Sequence, residues 1–583
     1  MIKTLAAQIK EFKKESVLTP IFMVLEVVFE TLIPLMMASI IDDGVEAGNM
    51  RHIYMVGGCM IAAALGGLFC GIMGGKFGAR ASTGFARNLR QAMFDNIQSF
   101  SFSNLDKFST AGLVTRLTTD VTNVQMAYQM LLRICFRAPI SMICAMSMAY
   151  FINARLASVY MVALVLLAIV LFFIIRRAMK YFQLAFPKYD ELNASVQENV
   201  SAIRVVKAYV REDYETSKLK KASQAIYDIF LKAEKNVVLN MPVMQFTVYT
   251  CILLISWLGA KMIVHSELTT GELMSLMTYC MNILMSLMMV AMIFVMMSMS
   301  IASARRISEV LEEKSDLTNP DNPIYDVPNG DIEFRNVDFS YYKDESKAVL
   351  RDINLKIKAG ETVGILGGTG SSKTSLVNLI SRLYDVTKGS VLVGGHDVRE
   401  YDMDSLRNQV AVVLQKNVLF SGTVLDNLRW GDANATEEEC RRVCRLACAD
   451  EFIEKMPEGY NTYIEQGGSN VSGGQKQRLC IARALLKKPK VLILDDSTSA
   501  VDTATDARIR KAFEQEIPET TKLIIAQRIS SVQHADHIIV MEEGRINGYG
   551  THEELIETNE IYREVYESQT SGGGDFDEKA GEE

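Results

Sequence analysis

Long apolar runs crowd into the first 300 residues, and an ordinary alternation of short apolar and polar segments follows. Six runs are long enough, or nearly so, to cross a bilayer as helices: 20–41, 53–75, 134–152, 156–175, 244–264 and 273–297. The third begins beside Arg133 and Arg137. The connections alternate in character. DDGVEAGNMRH, NAR and HSELTTGE are short, with few basic residues, whereas 76–133 and 176–243 are long and rich in Lys and Arg. The positive-inside rule puts both long connections, and both termini, in the cytosol of a multi-pass cell-membrane protein. The long connections keep helical periodicity with little Gly or Pro, so spans two to five should extend far out of the bilayer. A 25-residue extension reaches roughly 35–40 Å. Tight turns are expected near FSTAGLVTRL (108–117) and YVREDYETS (209–217), as tips that plug into a soluble domain. MIKTLAAQIKEFKKES reads as a short amphipathic helix lying on the cytosolic membrane face.

After a Pro-, Asn- and Asp-rich linker at 314–330, the periodicity changes to that of strands: DIEFRNVDFSY, AVLRDINLKI and ETVGILGG. The expected architecture is therefore an all-α six-helix transmembrane domain (1–313), a linker (314–330), an α/β domain (331–568) and an acidic, Gly-rich tail (569–583) read as disordered.

Composition sharpens this. A chain of 583 residues with 49% apolar content exceeds a single core, and its net charge of −8 argues against a nucleic-acid partner. The ten cysteines are scattered and suggest no disulfide framework. Cys440, Cys444 and Cys448 follow helical spacing and read as core residues rather than a metal cluster.

Candidate chemistry gathers at three places. GGTGSSKTSLVNLI follows a β-run and opens a helical pattern, as a phosphate-cradling loop does. Gly367, Gly368, Thr369, Gly370, Ser371, Ser372 and Ser375 belong to this cradle. Lys373 is placed to reach the β/γ-phosphates of ATP, and the Thr374 hydroxyl to take Mg²⁺. The fingerprint expects Gly at 372, and Ser there is acceptable where φ is negative. VLILDDSTSAVD carries Asp495 and Asp496 at the end of a buried-strand pattern, where two carboxylates need compensation such as a metal ion. In the membrane half, Met274, Met277, Met281, Met285, Met288, Met292 and Met296 share one helical face. That stripe, with Met281, Met285 and Met288 at its centre, reads either as a cavity lining or as ordinary helix and lipid packing. Glu26 and Glu30 lie one turn apart in the first span. They read as a site for cationic substrates, as a pair with a neighbouring arginine, or as a position near the wet interface.

These motifs together resemble an ATP-binding cassette exporter half-transporter, and the resemblance spans nearly the whole chain. VSGGQKQR (471–478) resembles the family's signature sequence, with Ser472, Gly473, Gly474 and Gln475 facing the γ-phosphate of an ATP held by a second chain. The resemblance implies that Tyr341 stacks on adenine, with Tyr342 its rival. It gives Mg²⁺ to Asp495 and Gln415, the interdomain loop to SAVD (499–502), and coupling helices to the two turns. It also makes the sixth span a lining of the translocation path.

Two positions depart from the family. Asp496 stands where a Glu orients the attacking water, and its carboxylate falls roughly 1.5 Å short. Gln527, in LIIAQRIS, stands where a His contacts the γ-phosphate. A misplacement of about 1 Å costs around 100-fold in rate, and an amide cannot supply the imidazole's proton. The expectation is a degenerate-site subunit that pairs with a non-identical half-transporter and moves amphipathic or hydrophobic compounds outward. A lipid flippase, a peptide exporter and an ATP-gated channel or regulatory subunit are the alternatives.

Overall fold

The computed structural model describes residues 1–342, 344–496 and 501–571. Contacts divide it into two units, Met1–Ser99 with Phe108–Glu313, and Phe100–Lys107 with Lys314–Glu583.

The first unit is all helix, and six of its helices are long and apolar enough to cross a membrane, as expected. They are carried by α1 (Lys13–Ser39), α2 (Met50–Gln98), α4 (Val121–Ile152), α5 (Ala154–Ser201), α7 (Asn240–Val264) and α8 (Thr270–Glu312), with α6 (Glu212–Val237) running into α7. At 49 residues α2 is roughly 70 Å long, more than twice the hydrocarbon thickness. The long basic connections are thus helix, as their periodicity implied. Arg133 and Arg137 lie inside α4 rather than at its start.

The short connections are closed by local caps. Asn153 Oδ1 accepts from the N–H groups of Arg155 and Leu156, both at 3.1 Å, which starts α5 directly after α4. Thr269 and Glu272 form a reciprocal capping box at the start of α8. Asp42 Oδ1 accepts from Gly271 N–H at 2.8 Å, and a Cβ on Gly271 would sit 2.5 Å from Ala38 O, so only glycine allows this approach. Among the spans, Tyr160 and Tyr279 are fully buried and donate to the carbonyls of Leu276 and Thr31 at 2.8 and 2.7 Å. Arg306 holds the buried Asp120 in a bidentate pair. The N-terminal segment is short helix, Ile2–Ala6, followed by a 3₁₀ stretch, and Asn88 of α2 donates to Gln8 O at 3.1 Å.

The second unit is α/β. The predicted strands form β1 (Ile332–Phe339), β2 (Leu350–Ile357) and β3 (Thr362–Gly367). β1 and β2 join β4 (Lys388–Val393) and β5 (His396–Asp397) in an antiparallel sheet of order β2-β1-β4-β5. The main sheet adds β6 (Val410–Val413), β9 (Val491–Asp495), β10 (Thr521–Ile525), β11 (His537–Glu542) and β12 (Arg545–Gly550) in the order β12-β11-β3-β10-β9-β6; β7 (Gly422–Thr423) and β8 (Tyr463–Ile464) form a separate ribbon. β11, β3, β10, β9 and β6 run parallel, and β9 is buried at every position, as its aliphatic run required. The helices used below are α9 (Lys373–Ile380), α10 (Gly473–Leu486), α11 (Thr503–Glu516) and α12 (Glu560–Ser571). Cys440, Cys444 and Cys448 are buried in the core beside α10, and burial pushes the Cys444 thiol up to about 12.

The short helix α3 (Phe102–Lys107) packs with this second unit although it belongs to the first long connection. Tyr384 OH donates to Asp106 Oδ2 at 2.8 Å, and Ser103 Oγ to Asp316 Oδ1 at 2.7 Å. The docking residues therefore precede the turn expected at 108–117.

Candidate nucleotide site

Sheet register brings the separate motifs together. Ile525 of β10 pairs with Asp495 of β9 on one side and with Ile365 of β3 on the other. All three strands run the same way, so the loop after Gly367, the Asp495–Asp496 pair and Gln527 emerge at one edge. That edge, beyond the carboxyl ends of parallel strands, is where open α/β sheets bind ligands.

The loop has the shape of an anion cradle. Gly368, Thr369 and Gly370 are exposed, a Cβ on Gly368 or Gly370 would meet nothing within 4 Å, and Gly370 has φ +87°. Gly367 differs, since a Cβ there would strike Met541 O at 2.4 Å and Ser371 Oγ at 2.6 Å. Lys373 Nζ donates to the carbonyls of Gly367 (2.7 Å) and Gly368 (2.9 Å) and approaches Ser371 Oγ at 3.3 Å. Burial lowers the Lys373 pKa, and the charges of Asp495 and Asp496 oppose that. Ser372 does not have the negative φ that the sequence reading required. Its φ of +70° and ψ of +26° are left-handed, the conformation for which the fingerprint reserves glycine.

Thr374 Oγ1 donates to Asp495 Oδ2 at 2.9 Å. Asp495 is 3% exposed, and burial raises its carboxyl pKa; Thr374 and Lys373 pull it down, while Asp496 pushes it further up. A hydroxyl, a buried carboxylate and the exposed amide of Gln415 are oxygen donors that suit Mg²⁺, and the open glycine cradle suits a polyphosphate. Ser375 Oγ bonds the hydroxyl of Tyr341 at 2.7 Å, which fixes that ring beside α9. Tyr342 is the more open of the two, 79% exposed against 38%.

Asp496 sits in a cluster of amides. Gln527 Nε2 donates to Asp496 Oδ2 at 3.0 Å, and Gln415 Nε2 reaches the same oxygen at 3.5 Å. Gln477 Nε2 approaches the Asp496 carbonyl at 3.4 Å. Gln477 was not picked out in the sequence, nor was Gln569. The Gln569 side chain spans the backbone on either side of Arg528. Its Oε1 accepts from Ile529 N–H at 2.9 Å, and its Nε2 donates to Gln527 O at 2.9 Å. Gln477 lies within the VSGGQKQR segment and Gln569 within no motif, and neither contact is readable there, because both act on backbone groups far away in sequence.

The signature residues stand apart. Ser472 caps α10 in a capping box, with Ser472 N–H donating to Gln475 Oε1 at 2.9 Å and Gln475 N–H to Ser472 Oγ at 3.4 Å. Ser472 and Gly473 are exposed, and among the described residues no hydrogen bond joins Ser472, Gly473 or Gly474 to the 367–374 loop. Of SAVD, residues 499 and 500 lie outside the described residues; Asp502 caps α11.

In the membrane unit, Arg137 of α4 pairs with both acidic residues of α1, at 2.7 Å to Glu30 and 3.4 Å to Glu26. This is the arginine-pair alternative. The methionine stripe divides: Met281 and Met285 are exposed and Met288 packs against the helical core. Met289, Met292 and Met296 instead line a cavity of about 560 Å³ with Met23, Met126 and Met130, next to Arg133 and Arg137.

Known proteins share this architecture. The ABC transporter transmembrane region family matches residues 17–288, and the ABC transporter family matches residues 350–499. An uncharacterized ABC transporter ATP-binding protein, YfiB of Bacillus subtilis, is 36% identical over 549 residues, 94% of this chain and 95% of its own length. An ATP-dependent lipid A-core flippase of Desulfotalea psychrophila is 32% identical over 495 residues, 84% of this chain and 85% of its own. The solved structure of a bacterial Atm1-family ABC exporter with ATP bound shares the fold, with a TM-score of 0.83 at 22% identity over 96% of this chain and all of that one. With its membrane unit, its nucleotide-binding unit and these relatives along most of its length, the chain belongs to the ATP-binding cassette transporters, with one membrane region and one ATP-binding region in the fold of an exporter half-transporter.

Proposed function

We propose that this chain is the degenerate-site subunit of a heterodimeric exporter in the cell membrane, with both termini cytosolic, and that it moves amphipathic or hydrophobic compounds outward. The observation that carries the reading is the hydrogen bond from Gln527 to Asp496, 3.0 Å long. An enzyme that splits ATP must place a water and stabilise charge at the γ-phosphate. Here the carboxylate nearest that role is short by a methylene and engaged by neutral amides. Lys373 binds the β/γ-phosphates of ATP, the exposed Gly368–Gly370 turn cradles them, and Tyr341 or Tyr342 stacks on the base. Thr374, Asp495 and Gln415 hold Mg²⁺, which when bound neutralises phosphate charge. Ser472, Gly473, Gly474 and Gln475 complete the active site of a non-identical partner, a reading supported by their lack, among the described residues, of hydrogen bonds to this chain's own loop and by their place at the start of a helix whose N-terminus favours anions.

The methionine-walled cavity beside Arg133 supports an amphipathic substrate, with thioethers for the apolar part and the Arg133 guanidinium, whose Nε has no partner among the described residues, for an anionic head. That combination, and relatives that flip lipid A-core, favour a lipid-like compound as the second reading.

The test is the ATPase rate of this chain purified alone. It should be slow, and Asp496→Glu with Gln527→His should raise it by about tenfold or more. Robust turnover without those changes would overturn the degenerate-site reading.

A further inference from the structure

The nucleotide-binding unit holds a cavity of about 290 Å³, bounded by the start of β3, by β10, by α11 and by residues 531–535. None of its lining residues belongs to the 367–374 loop or to the Asp495–Asp496 pair.

Its floor is unusual. β10 alternates, with Leu523 and Ile525 buried on one face and Lys522 and Ile524 on the other. Lys522 lines the cavity and is only 3% exposed. Among the described residues its ammonium makes no hydrogen bond and no ion pair. The carboxylates that face it are those of Asp536 and Glu514, and both act on it only through space. Asp536 is engaged elsewhere, accepting from Thr362 N–H at 2.8 Å. A lysine whose side chain is this largely buried, with no protein partner for its ammonium, is costly.

A second donor is unmet in the same place. Arg510 pairs with Asp506 at 3.3 Å and donates to Ser530 O at 3.0 Å, yet its buried Nε has no partner. Lys511 of α11 adds a third cation to the lining.

We propose that this cavity is an anion site distinct from the nucleotide site, taking a phosphate or carboxylate group whose oxygens accept from Lys522 Nζ and Arg510 Nε. The charge-assisted hydrogen bonds such a group makes are the ones these two donors lack. The site also borders the segment that positions Gln527. Ser531 lines it, and the turn Ile529–Ser531 is held by Gln569 near the end of α12. Two sources have this chemistry: a free small anion, or the chain's own carboxylates at Asp575, Asp577, Glu578, Glu582 and Glu583, which follow α12 in sequence.

Calorimetric titration of the full purified chain with inorganic phosphate, at saturating ADP so that the 367–374 loop is filled, decides the matter. Saturable binding is expected, weakened about tenfold or more by Lys522→Met and about threefold by Lys511→Gln. Lys511 sits at the cavity rim, so its variant keeps the test usable if Lys522→Met fails to fold. Changing the five tail carboxylates to amides separates the sources. Tighter phosphate binding in that variant assigns the site to the tail, and unchanged binding assigns it to a free anion. The proposal is overturned if neither the wild-type nor the tail-neutralised chain binds phosphate, or if both lysine variants titrate like wild type.

Discussion

At Ser372 the backbone and the side chain disagree. The residue holds φ +70° just before α9, where a Cβ costs about 1–2 kcal/mol. Ser372→Gly should recover about 1 kcal/mol, less the extra entropy glycine has in the unfolded chain. In thermal unfolding of the nucleotide-binding unit this is a rise of about 2–4 °C, with ATP affinity kept or improved. A fall in the midpoint would show that the serine hydroxyl stabilises the loop in a way its geometry does not reveal. At this scale the sequence was most legible where a residue acts by its own chemistry. Lys373, Thr374 and Asp495 are named by motif and strand pattern, and they meet in space. Gln477 and Gln569 were not legible, because each works by reaching a distant backbone group, and only the tertiary fold supplies that neighbour.

Among elements, α12 has a task that its amphipathic sequence does not announce. Through Gln569 it bonds the backbone on both sides of Arg528, so it holds the segment that presents Gln527. Removing a hydrogen bond of this kind costs about 1 kcal/mol. Gln569→Ala should therefore speed hydrogen exchange at the Ile529 amide by about fivefold, a local opening that leaves β10 itself protected. Unchanged exchange at Ile529 would mean that packing of α12, not the amide, holds the segment. The spans were legible because a run of some 20 apolar residues has few other uses. The docking tip was less so. The short helices Phe102–Lys107 and Thr110–Thr115 follow one another within a few residues, and the sequence does not say which one packs against Tyr384. Of the methionine stripe, Met292 and Met296 border the cavity, whereas Met281 and Met285 are exposed. Neighbouring helices choose which turns of α8 border a cavity, and that choice is tertiary.

For the whole molecule, one chain carries one phosphate cradle and one signature, and Ser472 and Gly473 of the signature are exposed rather than bonded to the cradle. A chain so built fits the proposed pairing of two half-transporters, which the sequence implied by separating the two motifs by about a hundred residues. The two halves of this chain should then answer mutation differently in the proposed heterodimer. Asp496→Asn acts on a site that already contributes little, and most of the pair's steady-state ATPase rate should remain. Ser472→Arg and Gly474→Asp act on the partner's productive site, where a γ-phosphate would face Ser472 Oγ and the N–H groups opening α10. Each should remove most of the rate, on the order of tenfold or more. Ser472 also caps α10, and losing a cap costs about 1 kcal/mol of stability. Ser472→Ala separates the two effects, since it loses the same cap without intruding on the partner. If Ser472→Ala keeps far more activity than Ser472→Arg at a similar melting temperature, the arginine acts at the shared site and not by unfolding the helix. The opposite pattern, with Asp496→Asn abolishing turnover and the signature variants leaving it intact, would place the working chemistry in this chain's own cradle and exclude the asymmetric pair.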